Sequence, residues 1–330
     1  MISRKFPSTR LRRLRQSDSI IKLTSECGIS KDDLIQPVFV KEGLKDKEPI
    51  ESMPGIFRFG CESVLDEIEE IDQLGIKAIA IFPVIDPSKK DATGSEAIKT
   101  DNFISEVICS IKSKFPNMLV IADVALDPYT DHGHDGILEN NKILNDQTLE
   151  VLAEQSIVLA EAGADIIAPS DMMDGRIGFI RKRLDENSFE EKIILSYAAK
   201  YNSKFYGPFR DAVNSKNNLG KSDKSSYQMN PANFLEALNE VAMDIEEGAD
   251  IVMVKPGMPY LDIISRIKHE FKVPTFAYQV SGEYSMLMES VNKGWLDKNV
   301  IMETIISFKR AGADAVLSYF AKDLIKEFNL

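Results

Sequence analysis

Glu247-Gly248-Ala249-Asp250-Ile251-Val252-Met253-Val254-Lys255 is the stretch that decides the fold. Its glycine tolerates the left-handed conformation that closes a helix, and an apolar run begins three residues later. That run ends on a lysine and gives way to Pro256-Gly257-Met258-Pro259-Tyr260-Leu261-Asp262. The same helix stop feeding a strand stands at Leu74-Gly75-Ile76-Lys77, Ala162-Gly163-Ala164-Asp165 and Ala311-Gly312-Ala313-Asp314. Outward from these junctions, strands are predicted at 35–40, 78–84, 119–126, 165–170, 192–200, 250–255, 275–281 and 315–321. All are nearly continuous apolar runs, as parallel strands covered on both faces require. Helices are predicted at 61–74, 102–115, 146–162, 231–247, 260–271 and 297–311. Eight parallel strands with right-handed crossovers predict an α/β fold, a (β/α)8 TIM barrel. A doubly wound open sheet is the alternative, but no G-x-G-x-x-G follows a first strand.

The barrel is expected over residues 31–330 as one catalytic domain, preceded by an extended N-terminal arm over 1–30. In that arm Arg4, Lys5, Arg10, Arg12, Arg13 and Arg15 precede the first acidic residue, Asp18. A solvated terminus, a docking arm for a neighbouring subunit and a remnant of a targeting segment all suit this pattern. The whole chain carries 40 basic and 52 acidic residues, a net charge of −12, which argues against general nucleic-acid binding. No apolar run approaches the roughly 20 residues that span a bilayer, so no membrane association is expected. The cysteines, Cys27, Cys61 and Cys109, are odd in number and far apart. They suggest no disulfide framework and no zinc cluster, and they suit a reducing, cytoplasmic setting.

In a barrel the C-terminal strand ends carry the active site. Lys200 and Lys255 end the fifth and sixth predicted strands, side by side at that rim. A lysine partly desolvated there, with another cation near it, has its pKa lowered and becomes an amine nucleophile toward carbonyls. Two such lysines suggest chemistry on two carbonyls. Asp123, Asp127, Ser170, Asp171, Ser281, Ser318 and Tyr319 are predicted on the same rim.

The chain resembles the porphobilinogen synthase, or 5-aminolevulinate dehydratase, family. The resemblance is carried by Phe205-Tyr206-Gly207-Pro208-Phe209-Arg210-Asp211-Ala212, Ser226-Tyr227-Gln228-Met229-Asn230-Pro231 and Met253-Val254-Lys255-Pro256-Gly257-Met258-Pro259-Tyr260-Leu261-Asp262. Ala277-Tyr278-Gln279-Val280-Ser281-Gly282-Glu283-Tyr284 and Leu34-Ile35-Gln36-Pro37-Val38-Phe39-Val40 carry it too. It implies a lyase of tetrapyrrole (haem) biosynthesis that condenses two molecules of 5-aminolevulinate to porphobilinogen with loss of two waters. Lys255 and Lys200 match the Schiff-base lysines, for the substrates that supply the propionate and acetate side chains respectively. Arg210 and Lys224, with Gln228 nearby, match the clamp on one substrate carboxylate. Ser281 and Tyr319 match the hydroxyl pair on the other. Residues 211–229 would form a lid. The resemblance also implies self-association, commonly as a homo-octamer.

Members that use catalytic zinc carry three cysteines where this chain has Ala125, Asp127 and Asp135. Alanine offers no donor and carboxylates are harder ligands, so no catalytic zinc is expected. His132 reads as a hydrogen-bonding loop residue. Glu240, fifteen residues before Lys255, stands where magnesium-stimulated members place a carboxylate. The resemblance there implies an allosteric Mg2+ at a subunit boundary. A class I aldolase, which needs one reactive lysine, and a catalytically silent scaffold barrel are the competing readings.

Overall fold

The computed structural model describes residues 4–213, 224–328 and 330. Its barrel strands are β1 (Leu34–Lys41), β2 (Ala78–Val84), β3 (Leu119–Val124), β4 (Ile166–Pro169), β5 (Ile193–Lys200), β6 (Ile251–Lys255), β7 (Thr275–Gln279) and β8 (Ala315–Ser318). Neighbours pair in parallel in chain order, and β1 closes on β8 through Leu34 opposite Val316 and Ile35 opposite Leu317. This is the (β/α)8 barrel expected from the sequence. A short antiparallel pair, Lys47–Pro49 with Phe57–Phe59, extends the edge of β1.

The outer layer comprises α1 (Ser63–Gln73), α2 (Phe103–Lys114), α3 (Asn145–Glu161), α4 (Arg176–Glu186), α5 (Leu235–Glu246), α6 (Leu261–Phe271), α7 (Ser281–Asn292), α8 (Val300–Ala311) and α9 (Ala321–Phe328). Gly75, Gly163, Gly248 and Gly312, the junction glycines, all have positive φ. The predicted strand at 275–281 ends two residues early, at Gln279, because Ser281 opens α7. There the Glu283 carboxylate accepts the Val280 N–H at 2.5 Å and fixes the start of the helix. The strand at 315–321 likewise ends at Ser318, and Ala321 opens α9. Helix α4 is absent from the predicted helices although Ile177, Ile180 and Leu184 form a short buried apolar face; its first residue, Arg176, is also buried, as a charge.

Residues 4–30 lie outside the barrel wall with a 3-10 turn at Leu11–Arg15 and a helix at Asp18–Leu23, neither of which buries a residue. Among the described residues no helix is long and apolar enough to cross a membrane. Of the predicted lid, 214–223 lies outside the described residues; 224–229 returns to the barrel, where Met229 N–H donates to Lys200 O at 3.0 Å.

Candidate active site

Strand alternation decides which side chains enter the barrel mouth, and register decides which of them meet. Lys200 and Lys255 are directly paired residues of adjacent strands. Both end their strands and both are about 5–6 % exposed. Around the Lys255 ammonium stand four rings, with Nζ 4.6 Å from the Tyr278 centroid, 5.0 Å from Tyr197, 5.1 Å from Phe209 and 5.5 Å from Tyr206. Ring faces attract a cation but do not replace its hydration. Burial therefore pulls the Lys255 amine down to about 7, helped by the positive charge of Lys200 and opposed by Asp123, Asp127 and Asp135. At neutral pH a substantial fraction is unprotonated and nucleophilic.

Lys200 is held differently. Its ammonium donates to Ser170 O, at the end of β4, and lies 3.5 Å from Asp135 Oδ1. Asp135 is fully buried, and the lysine charges of Lys200 and Lys224 hold its carboxyl at about 2 despite that burial. Lys224 Nζ bridges Asp135 Oδ2 at 2.6 Å and Asp127 Oδ2 at 3.1 Å. Asp123, on β3, is buried and feels the charges of both lysines. Burial lifts its carboxyl to about 6, against the pull of Lys255 and then Lys200. A carboxylate with that proton affinity beside two amines can receive and return a proton near neutrality.

A cavity of about 30 Å3 lies between these groups, lined by Lys200, Lys255, Arg210, Lys224 and Gln228 together with Asp127, Tyr206 and Phe209. Ser281 and Tyr319 stand one layer away. Ser281 Oγ accepts the Phe209 N–H at 2.8 Å, and the Tyr319 hydroxyl meets that of Tyr278 at 2.8 Å. Each thus touches a ring residue that packs on Lys255. Glu240 is apart, in a separate cavity of about 570 Å3 that shares Gln228 with the first.

The sequence model of the delta-aminolevulinic acid dehydratase family matches residues 8–327. The chain belongs to that family. It is 51 % identical over 323 residues to the delta-aminolevulinic acid dehydratase of Methanothermus sociabilis, covering 98 % of this chain and 99 % of the relative. It is 46 % identical over 318 residues to that of Bacillus subtilis, covering 96 % and 97 %. Among solved structures, the Toxoplasma gondii delta-aminolevulinic acid dehydratase in complex with the reaction product porphobilinogen superposes with a TM-score of 0.94. That pair is 45 % identical, over 96 % of this chain and 91 % of the other.

Within this delta-aminolevulinic acid dehydratase fold the geometry adds groups that motif reading gave no role. Asp123 was legible only as one charge inside the apolar run Leu119-Val120-Ile121-Ala122-Asp123-Val124. The ring cage of Lys255 draws on three strands or loops and has no local signature. At the three positions tied to zinc, Ala125 is a buried apolar residue, while Asp127 and Asp135 both pair with Lys224. Among the described residues no cluster of three or more His, Cys, Asp and Glu is placed to hold a metal. His132 Nε2 lies 3.2 Å from Ala92 O, as expected of a hydrogen-bonding loop residue.

Proposed function

We propose that Lys200 and Lys255 are the two Schiff-base nucleophiles with which this enzyme condenses 5-aminolevulinate to porphobilinogen. The observation that carries the assignment is their direct pairing across β5 and β6, both lining one cavity. Neutral Lys255 Nζ adds to the ketone carbon of one substrate, and the carbinolamine loses water to give an imine. Lys200 does the same with the second substrate. Each imine makes the adjacent carbon acidic, and Asp123 is the proton carrier within reach. Carbon–carbon and carbon–nitrogen bonds then form between substrates already held in place, and both lysines are released. Two C5 amino acids enter; one pyrrole and two waters leave.

Arg210 and Lys224, with Gln228 beside them, clamp one substrate carboxylate, since guanidinium and ammonium groups bind it through charge-assisted hydrogen bonds. Ser281 and Tyr319 receive the other once substrate displaces their present contacts with Phe209 and Tyr278. The test is direct: wild type incubated with 5-aminolevulinate forms a pyrrole, and Lys255→Ala does not. A Lys255→Ala protein with full pyrrole-forming activity overturns the assignment.

No catalytic zinc belongs in this reading, because the donor set at 125, 127 and 135 lacks a thiolate and its two carboxylates neutralise Lys224. An allosteric Mg2+ fits better at Glu240. Burial, together with the charges of Asp244, Asp174 and Glu236 and against that of Arg176, raises the Glu240 carboxyl to about 7. Four carboxylates around one guanidinium favour a cation, and Mg2+ needs only one or two protein carboxylates besides its waters. Glu240 would hold it, supplying charge neutralisation at a distance from the lysines. We further place the enzyme in the cytoplasm as a magnesium-responsive homo-octamer that binds no nucleic acid. The net charge of −12 and the basic arm over 1–30 support this reading.

A further inference from the structure

A second cavity, of about 260 Å3, opens at the C-terminal ends of β1 and β2. Its lining includes Lys41, Glu42, Asp86 and Lys90. Two of these charges are ion-paired within the protein, and the third, Asp86, is held by hydrogen bonds alone. Lys41 Nζ pairs with Glu48 at 2.7 Å, and Glu42 with Lys89 at 2.5 Å. The Asp86 carboxylate accepts the Ser88 N–H at 2.9 Å. Lys90 is the exception: half-buried, it has no carboxylate within ion-pairing distance among the described residues. Burial lowers its pKa, and the charge of Asp127, beyond ion-pairing distance, opposes this.

The position of Lys90 is built, not accidental. Asp91, its neighbour, is stapled to the loop that carries Asp127 and Asp135. Asp91 N–H donates to Tyr129 O at 3.3 Å, and Asp131 N–H donates to Asp91 O at 3.1 Å. The Asp91 carboxylate in turn accepts the Thr93 N–H at 2.8 Å and the Ser95 N–H at 3.1 Å. An ammonium carried on a pinned backbone beside a cavity, with no carboxylate in ion-pairing distance among the described residues, suits an anion, since a half-buried charge is stabilised by a partner. The 260 Å3 is room for several waters at about 30 Å3 each, whereas the space between the catalytic lysines holds about one.

We propose that this cavity is an outer carboxylate site, in which Lys90 captures 5-aminolevulinate by its carboxylate before the ketone reaches Lys255. The proposal rests on the Schiff-base reading above. It assigns Lys90 to capture and not to chemistry.

The test compares wild type, Lys90→Gln and Lys90→Arg by borohydride trapping of labelled 5-aminolevulinate, with steady-state rates and native mass alongside. Lys90→Gln should trap about tenfold more slowly at low substrate and reach the same extent at saturation. Its KM should rise about tenfold with kcat within about twofold, and Lys90→Arg should recover most of the loss. A fall in kcat at unchanged KM would mean that Lys90 acts through Asp127, and would overturn the proposal. So would unchanged trapping with an altered native mass, which would make a second copy's carboxylate its partner. If wild type traps on neither Lys200 nor Lys255, the Schiff-base reading itself fails. If wild type traps there and Lys90→Gln traps as fast, only the outer site fails.

Discussion

At the scale of single residues the account turns on how two buried lysines share one field. Burial lowers the Lys255 amine, and the neighbouring Lys200 charge lowers it more. The unprotonated amine is the nucleophile, so trapping at Lys255 should climb about tenfold per pH unit below about 7 and level off above it. Replacing Lys200 by Ala removes one of the two groups that push the amine down. The midpoint at Lys255 should then move to higher pH, measured as trapping rate against pH; a midpoint that stays or falls would show that Lys200 does not act on it. Lys224→Met should be damaging for a different reason. It leaves the buried Asp135 and its neighbour Asp127 without their shared cation, and breaking a buried pair costs about 3–5 kcal/mol. The expected result is a lower Tm together with a raised KM.

At the scale of elements, the strands and their junctions were legible because each signal is local. A glycine at positive φ and an apolar run need no distant partner to be read. Helices α7 and α9 were not predicted, since Val280, Tyr319 and Phe320 are as buried as strand residues and the apolar runs carry on past the strand ends; at α7 only the Glu283 cap marks the change. Helix α4 was missed although Ile177, Ile180 and Leu184 mark its buried face, a short stripe among six charged residues, and the partners of its buried charge lie on other elements. Arg176 is 2 % exposed and meets Asp244 of α5 through two nitrogens, at 3.1 and 3.2 Å. It also donates to Ser196 of β5 at 3.1 Å and lies 3.7 Å from Asp171, the residue after Ser170. This buried knot fixes the ends of β4 and β5 on which Lys200 rests. Arg176→Met should cost about 3–5 kcal/mol, read by denaturant unfolding, because it strands Asp244 as an uncompensated charge. A loss under about 1 kcal/mol would show that the knot is no more than a surface pair.

At the scale of the molecule, motif order brought Lys200, Lys255, Arg210 and Lys224 together, and the four line one cavity. What joins them was not visible: Asp123, the four-ring cage and the Lys224 bridge arise only when the barrel closes. Magnesium belongs to this scale too. An ion held at Glu240 stabilises whichever assembly binds it better. Glu240→Gln should therefore abolish the magnesium response of both rate and native mass while leaving Schiff-base formation intact. Deleting residues 1–15 should weaken assembly without abolishing trapping. A zinc-selective chelator should leave activity unchanged; loss restored only by zinc would contradict the reading of Ala125, Asp127 and Asp135.

The central claim is that two lysines, and not one, bond covalently to substrate. Borohydride reduction with labelled 5-aminolevulinate, followed by peptide mapping, tests it most directly. The account predicts label on Lys255 and on Lys200, with Lys255→Ala retaining only the Lys200 adduct. Label on a single lysine, or on any third one, would contradict it.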